Sequence, residues 1–322
     1  MFIQKLEVKL INYGKKKNRF MSNKYKNIWL IIPLLNDQNQ ELVAFIDRHM
    51  FFLNSGGNIL FKVSGFLDKS IASCLNIESR SIILIQKQDS SLYDAWNQSF
   101  QYLDGVNIDP NSYIAFLGLD DVLCSRFCDK VVSIISADVD FIYGDIYSRL
   151  GERYRKGVPA TQPLLFNKET TYVFDVFHPG MMNRWGTISN FKFNSKFQLA
   201  ADLDFYIRIS KSKEINSKYI DTIQSIVGAD GVSNAITSKN IYKKEWEIIE
   251  RDLDVNILTK SIRMIFLTNI SGEDFIIFKC DSSFIKYLQK PLKVPKIIGR
   301  VVALISRKDF KLKLKTRYRN RS

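Results

Sequence analysis

Cysteine and histidine are scarce in this chain, which has four cysteines and two histidines among 322 residues. No two cysteines are spaced as CxxC, so the sequence gives no zinc site of that kind. We therefore predict that the thiols are reduced and structural, which suits a cytosolic protein. The cysteines are Cys74, Cys124, Cys128 and Cys280, and the histidines are His49 and His178.

Long apolar runs are also missing. The longest clean run, Ile28 to Leu35, has eight residues, whereas a helix needs about 20 to cross a bilayer. The first residues carry no secretory-signal pattern, so we expect neither export nor a membrane span. The apolar content of 46% is nevertheless enough for a full core, which excludes a chain disordered throughout.

Acidic residues are nearly absent from the last part of the chain. From Lys286 to Ser322 there are thirteen Lys or Arg and a single acid, Asp309, so this tail carries +12 of the net charge of +14. The rest of the chain is therefore close to neutral. A basic tail of this kind suits an anionic surface, either lipid headgroups or nucleic acid.

The first half of the chain alternates between strand and helix patterns. We predict strands at Ile28 to Leu34, Ile59 to Val63, Ile82 to Ile85 and Tyr113 to Leu117. A helix is predicted from Gln40 to Leu53, where apolar residues recur at helical spacing. This alternation predicts an α/β fold with a doubly wound, mainly parallel, Rossmann-like sheet.

Two adjacent carboxylates, Asp120 and Asp121, follow the fourth predicted strand. In open α/β sheets ligands bind outside the carboxyl ends of the strands, where such a pair could hold a divalent metal against a phosphate. The same pair could equally be a solvated turn that starts a helix. Taken alone, the pattern does not decide between the two.

The segment Gln88 to Gln98, QDSSLYDAWNQ, bears on whether Asp120 and Asp121 bind a metal or form a solvated turn. Ser91 and Asp94 have the spacing of a capping box at the start of a helix, and Trp96 then falls on an apolar helix face. Those structural roles are expected whatever else the segment does.

This segment and five later landmarks together resemble bacterial glycosyltransferases of family 2, which have the GT-A fold. The similarity extends from about Ile28 to Ser233. The landmarks, in chain order, are Asp89 with Ser91-Leu92-Tyr93-Asp94-Ala95-Trp96-Asn97, Asp120-Asp121, Tyr143-Gly144-Asp145, His178, Ala200-Ala201-Asp202-Leu203-Asp204 with Arg208, and Gly231-Val232-Ser233. The chain departs from the family pattern at three positions, with Ser64 and Gly118 where carboxylates are usual and Ser91 where glycine is usual.

The resemblance implies a nucleotide-sugar donor, most simply a UDP-sugar, and a Mg²⁺ or Mn²⁺ cofactor. It assigns metal binding to Asp120, Asp121 and His178. The residues that it assigns to the donor nucleotide and sugar are Pro33, Asp68, Asp89, Tyr93, Asp94, Asn97 and Asp120.

The resemblance also points to Asp202 as the base that takes the proton of the acceptor hydroxyl. Asp204 is the alternative candidate for this base. If the segment is helical, residues two apart lie about 200° apart around the helix, so only one of the two faces the cleft. Asp204 can pair with Arg208 at i, i+4, which favours Asp202 as the base and leaves Asp204 and Arg208 in support.

We therefore expect a basic extension at 1–27, a GT-A domain at 28–235 and a helical region at 236–322 that ends in the basic tail. A helix is predicted from Asn240 to Leu258. The expected function is that of an inverting glycosyltransferase of surface polysaccharide or lipopolysaccharide synthesis. It would act on a glycan or lipid-linked acceptor, be cytoplasmic and bind peripherally at the inner face of the bacterial membrane.

Two rival functions stay open at this point. A catalytically degenerate family member would bind sugar nucleotides without transferring sugar. A nucleic-acid-binding protein would use the basic tail, but the sheet region has no basic stripe interleaved with aromatics, so no nucleic acid is expected as a partner.

Overall fold

The structure is a computed structural model that describes residues 23–76, 81–135, 138–150, 153–157, 178–228 and 238–253. Within these ranges the strands are β1 (Ile28–Leu35), β2 (Asn58–Ser64), β3 (Ile82–Gln86), β4 (Tyr113–Phe116), β5 (Val122–Leu123), β6 (Phe141–Leu150), β7 (Arg153–Gly157), β8 (Met181–Arg184) and β9 (Ser217–Val227). The α-helices are α1 (Asn39–Arg48), α2 (Met50–Asn54), α3 (Lys69–Asn76), α4 (Leu92–Gly105), α5 (Ser125–Val132), α6 (Trp185–Ile188), α7 (Ala201–Ser212) and α8 (Ser238–Asp252). A short 3₁₀ turn, His178–Gly180, precedes β8.

All these strands belong to one sheet in the order β3-β2-β1-β4-β8-β6-β9-β5, with β7 paired to β6. The pairs among β3, β2, β1 and β4 are parallel. Beyond β4 the sheet is mixed, because β8 runs antiparallel to both β4 and β6 while β9 runs parallel to β6. The fold is α/β and compatible with a Rossmann-like architecture, but the expected mainly parallel sheet is parallel throughout only in its first half.

The central strands β1, β2, β4 and β8 are largely buried on both faces, as expected of a sheet covered by helices on both sides. Three consecutive residues of β1 illustrate the alternation: Leu30 and Ile32 face one apolar cluster, and Ile31 between them faces the other. The first cluster is completed by α1, α2, α3 and α5, and the second by α4, α6, α7 and α8. Each fully buried side chain of this size contributes about 1.5–3 kcal/mol through removal from water.

The helix predicted from Gln40 to Leu53 is divided into α1 and α2 by His49. The His49 ring is buried, and its Nδ1 lies 2.8 Å from the carbonyl oxygen of Phe45. Its Nε2 accepts a hydrogen bond from the N–H of Leu123 at 2.9 Å. This contact with β5 comes from a distant part of the chain, so helical periodicity could not predict the break.

Residues at both ends of the described chain pack on this body. Tyr25, within the expected N-terminal extension, is buried, stacks on Phe52 and donates its N–H to the carbonyl oxygen of Ser55. At the other end, Trp246 and Ile249 of α8 join the second apolar cluster, which confirms the apolar face predicted for that helix.

Some predicted features lie outside the described residues. They are residues 1–22, the segment Gly231 to Ser233 and the basic tail from Lys286 to Ser322. None of the helices in the described ranges has both the length and the apolarity that a membrane crossing requires.

Candidate active site

The candidate site lies at the carboxyl edge of the parallel strands, where polar segments follow β2, β3 and β4. Asp68 follows β2, Asp89 follows β3, and Asp120 with Asp121 follows β4. Because parallel strands end at the same edge of a sheet, the topology brings these four carboxylates to one side of the molecule.

Asp121 holds the turn that follows β4. Its Oδ2 accepts a hydrogen bond from the N–H of Gly118 at 2.7 Å, and its Oδ1 accepts one from the N–H of Gly228 at 3.2 Å. Burial raises the pKa of Asp121 to about 6, and the neighbouring charge of Asp120 adds to the rise against the opposing effect of the two amides. Asp121 therefore joins the β4 turn to the end of β9.

Asp120, by contrast, is exposed and lies between two glycines. A Cβ on Gly118 would come within 2.9 Å of Asp120 Oδ1, and a Cβ on Gly228 would lie 1.4 Å from Asp120 Oδ2. A side chain at position 228 would therefore displace the Asp120 carboxylate, whereas one at position 118 would require only a small movement of its exposed end. This gives a physical reason for Gly228, since the Asp120 carboxylate already occupies the space beside it.

His178 connects this turn to α7. Its Nδ1 lies 3.3 Å from Asp202 Oδ2, and its ring packs edge-on against Trp96 at a centroid distance of 5.2 Å. It is also close enough to Asp121 to lower the pKa of that carboxyl. Both side chains of the His178–Asp202 pair keep access to solvent, at 31% and 20% exposure.

Asp204 has the predicted supporting contact. Its Oδ2 accepts hydrogen bonds from Arg208 Nε at 2.9 Å and from Nη2 at 2.8 Å, and the Asp204 side chain is buried. Arg208 Nη2 also donates to the carbonyl oxygen of Lys192 at 2.6 Å. The structure thus confirms that Asp204 pairs with Arg208, while Asp202 faces His178.

On the side of β3, Asp89 pairs with a lysine that the sequence analysis did not select. Lys62 lies within β2 and is fully buried, and its Nζ donates to Asp89 Oδ2 at 2.7 Å. The same Nζ donates to the carbonyl oxygens of Val63 and Lys87 at 3.0 and 2.6 Å. A buried ammonium with three acceptors is fully satisfied, so Lys62 holds Asp89 at the end of β3.

Asp68 and Asp94 act as local caps. Asp68 Oδ1 accepts from the N–H and hydroxyl of Ser70, and these bonds lower the pKa of Asp68. The Asp94 N–H donates to Ser91 Oγ at 3.2 Å, which confirms the predicted N-cap. The Asp94 carboxylate reaches the N–H of Ser90 at 2.9 Å, one residue before the position that a capping box requires.

The remaining residues that the resemblance assigned to the donor are divided between the edge of the sheet and the interior. Pro33 lies near the end of β1, beside Lys62. Asn97 exchanges two hydrogen bonds with the backbone of Phe193, at 2.8 and 2.9 Å, and so fixes the segment before α7. Tyr93 is buried and lies near the start of α7, where the backbone amides of Ala201 and Asp202 oppose the rise that burial causes in its pKa.

Sequence reasoning missed three residues that organise the site: Lys62, Gly228 and Glu245. A lysine inside an apolar strand was a signal, because a buried cation requires a partner. Gly228 and Glu245 gave none, since each contacts a segment far away in the sequence. Glu245 of α8 accepts hydrogen bonds from the N–H groups of residues 198–200, just before α7.

The residues at the β4 turn fit a weakly coordinated divalent cation rather than a closed metal site. Within the described part of the chain, no group of three or more His, Cys, Asp or Glu side chains is arranged to hold a metal ion. Mg²⁺ is commonly held by one or two carboxylates together with substrate phosphates and water. The exposed Asp120 carboxylate between its two glycines satisfies that requirement, whereas Asp121 already bonds two amides.

Comparison with known proteins gave neither a matching protein-family model nor a matching curated protein.

Proposed function

We propose that this protein is an inverting glycosyltransferase of the GT-A type, similar to family 2, that transfers a sugar from a nucleotide-sugar donor to a glycan acceptor. The observation that carries the proposal is the position of His178. It pairs with Asp202 at 3.3 Å and is close enough to Asp121 to affect its pKa. His178 thus links two acidic pairs that are distant in the sequence, which supports a donor site beside an acceptor base.

The nucleotide would lie across the ends of β3, β2, β1 and β4. Three strand spacings of about 4.8 Å separate β3 from β4, so the groups after them lie about 14 Å apart, comparable with an extended nucleoside diphosphate. Asp89, fixed by Lys62, would accept hydrogen bonds from base or ribose groups at one end. Asp120 would face the diphosphate at the other end.

A divalent cation held by Asp120 would neutralise the negative charge that develops on the departing diphosphate. The protein's own part is to keep the Asp120 carboxylate in place. Gly118 and Gly228 do so by leaving room for it, and Asp121 does so by tying the β4 turn to β9.

Asp202 would act as the base. The acceptor hydroxyl attacks the anomeric carbon from the face opposite the diphosphate, which inverts the configuration, and its proton passes to the Asp202 carboxylate. The His178 ring, bonded to Asp202 through Nδ1, orients that carboxylate. Asp204 is unsuited to the task because Arg208 binds it in a buried pair.

A lipid-linked acceptor at the inner face of the membrane would suit the charge distribution, since +12 of the net charge lies between Lys286 and Ser322. Each cation near an anionic leaflet contributes about 1 kcal/mol to binding. Salt-sensitive binding to vesicles of anionic lipid, without comparable binding to duplex DNA, would support this location over a nucleic-acid partner. The opposite preference would favour the nucleic-acid-binding alternative.

A non-catalytic sugar-nucleotide-binding protein is the second candidate. It is favoured by Gly118 and Ser64, which stand where carboxylates are usual in family 2. Such a protein would bind donor through Asp89 and Asp120 but would release no nucleoside diphosphate when acceptor is added.

The test is calorimetric titration of a panel of sugar nucleotides, with and without Mn²⁺, on the wild type and on Asp120→Ala. The proposal predicts Mn²⁺-dependent binding of at least one donor, weakened at least tenfold in the variant. Release of nucleoside diphosphate from that donor by the wild type, in the presence of glycan acceptors, then separates transfer from binding alone. Absence of donor binding under every condition would contradict both candidates.

A further inference from the structure

The N-cap of α7 and the two residues before it have backbone donors whose acceptor lies on another helix. A side chain at the N-cap usually accepts a hydrogen bond from the first turn of a helix. In α7 the N-cap is Ala200, which has no acceptor atom in its side chain. Asp202 Oδ1 accepts the N–H of Leu203 at 2.9 Å within the helix, and the amides of residues 198–200 bond an acceptor from elsewhere in the fold.

Glu245 of α8 supplies this acceptor. Its Oε1 accepts the N–H of Gln198 at 2.5 Å, and its Oε2 accepts the N–H groups of Leu199 and Ala200, both at 2.9 Å. The Glu245 side chain is buried, and its negative charge lies at the positive end of the α7 dipole. Bonds from a carboxylate to backbone amides are among the stronger hydrogen bonds in proteins.

Tyr93 of α4 lies beside the next two residues. Burial, with smaller contributions from the charges of Asp202 and Glu245, raises the pKa of this tyrosine, and the neighbouring amides of Ala201 and Asp202 act in the opposite direction. Three consecutive amides, those of residues 198–200, thus bond Glu245, and the next two, the second of which belongs to Asp202 itself, lie close to the Tyr93 hydroxyl.

We propose that Glu245 is a positioning residue for Asp202, acting with Tyr93 to fix the first turn of α7 against the site. The inference rests on the proposed function, since it concerns the carboxylate that takes the acceptor proton. A displacement of about 1 Å at a reacting group can reduce the rate about 10²-fold, so the cap is expected to affect turnover. Donor binding, at the ends of β1 to β4, should be unaffected.

The experiment compares Glu245→Gln with Glu247→Gln, an exposed glutamate on the same helix. In Glu245→Gln one oxygen is replaced by an NH₂ group that faces backbone N–H groups and cannot accept from them. Hydrogen exchange of amides 198–202 reports the cap directly. The ¹⁵N spectrum of the imidazoles reports Asp202, because the chain has only two histidines and the bond to Asp202 favours the Nδ1–H tautomer of His178.

For Glu245→Gln we expect exchange of these amides to be about tenfold faster. His178 should lose its preference for the Nδ1–H tautomer, whereas the His49 signal should not change. Turnover should be lower by about 10- to 100-fold, with the donor KM within about twofold of the wild-type value. Glu247→Gln should match the wild type in all four. Tyr93→Phe, which removes only the hydroxyl, provides a second variant with the same direction and smaller changes should Glu245→Gln fail to fold.

The proposal is overturned if a folded Glu245→Gln keeps the wild-type exchange and His178 spectrum. It is overturned equally if these change while turnover stays the same. A wild type that transfers no sugar, with the exchange and His178 changes still present in the variant, would instead refute the proposed function and leave the positioning of Asp202 intact.

Discussion

The two acidic pairs of the site, Asp120 with Asp121 and Asp202 with Asp204, are built on the same plan. In each pair one carboxylate is buried and bonded by the fold, and the other keeps access to solvent. Asp121 bonds two backbone amides and Asp204 bonds Arg208, whereas Asp120 is exposed and Asp202 faces His178.

The pairs differ in how the buried member is neutralised. Asp204 is matched by a guanidinium, so its charge has a counter-charge. Burial, with the neighbouring charge of Asp120, raises the pKa of Asp121 to about 6, because the two amides and His178 offset this rise only in part. The comparison teaches that the same acidic motif can give a support paired with a guanidinium in one place and a proton-sensitive one in the other.

The largest expected effect distinguishes the two members of the second pair. Asp202→Asn should lower turnover by about 10²- to 10⁴-fold with little change in donor affinity, because a general base contributes about that much. Asp204→Asn, measured in the same assay of nucleoside diphosphate release, should retain most of the activity of the folded enzyme. Similar losses in both variants would remove the distinction between base and support.

The pH dependence of stability should reveal the different neutralisation of Asp121. Its native pKa of about 6 lies above the ordinary value of 3.8, so the native state holds the extra proton, and this contribution to stability is lost as the pH rises from about 4 to 6. The shift corresponds to about 3 kcal/mol. In urea unfolding, the stability of Asp121→Asn relative to the wild type should therefore increase by about that amount across this range.

His49 affects the pH dependence of stability in the opposite direction. Burial lowers its pKa to about 4, so its contribution to stability is full above 6.5 and is lost as the pH falls towards 4, again by about 3 kcal/mol. The two slopes largely cancel in the wild type. A His49→Gln variant lacks the histidine contribution, so its free energy of unfolding should fall between pH 4 and 6 as the Asp121 contribution is lost. If the difference in free energy of unfolding between variant and wild type is constant from pH 4 to 6.5, the assignment to His49 is contradicted.

Removing the charge of Asp204 should reduce the free energy of unfolding by about 2 kcal/mol, because Arg208 would lose its partner in a partly buried pair. Arg251, whose pair with Asp252 is exposed, provides the matched control. Its change to Gln should alter stability by less than about 0.5 kcal/mol. Chemical denaturation at about pH 7 measures both, and equal effects would show that the burial of Asp204 has no energetic consequence.

The smallest effect concerns the glycines beside Asp120. An alanine at Gly228 would overlap with the Asp120 carboxylate and displace it, with an expected loss of about tenfold in Mn²⁺-dependent donor affinity, or about 1.4 kcal/mol. Gly105 is the control, because a Cβ there meets no atom within 4 Å. Calorimetric titration should give wild-type affinity for Gly105→Ala, and a Gly228→Ala variant that binds equally well would contradict the account of Asp120.

The parallel half of the sheet could be predicted because its strands are continuous apolar runs separated by helix and turn patterns. The Asp204–Arg208 pair and the Ser91 cap were predictable for the same reason, since both depend on local spacing. The mixed half was not, because the direction of β8 depends on contacts with β4 and β6 that leave no local pattern.

The same limit applies to the site. Motif resemblance pointed to Asp120 and Asp202, whose roles stay a prediction, but the residues that contact their segments come from elsewhere in the chain. Gly228 reaches the β4 turn from the end of β9, and Glu245 reaches α7 from α8. Such contacts between distant segments are set by the whole fold, so a single sequence does not reveal them.

The most direct test of the central claim is titration of one nucleotide sugar, in the presence of Mn²⁺, into Asp120→Ala and Asp202→Asn side by side, with turnover measured on the same samples. The account predicts that Asp120→Ala loses donor affinity, whereas Asp202→Asn binds donor like the wild type and fails to transfer sugar. Equal donor binding by both variants, or retained transfer by Asp202→Asn, would contradict the assignment of one acidic pair to the donor and the other to the acceptor.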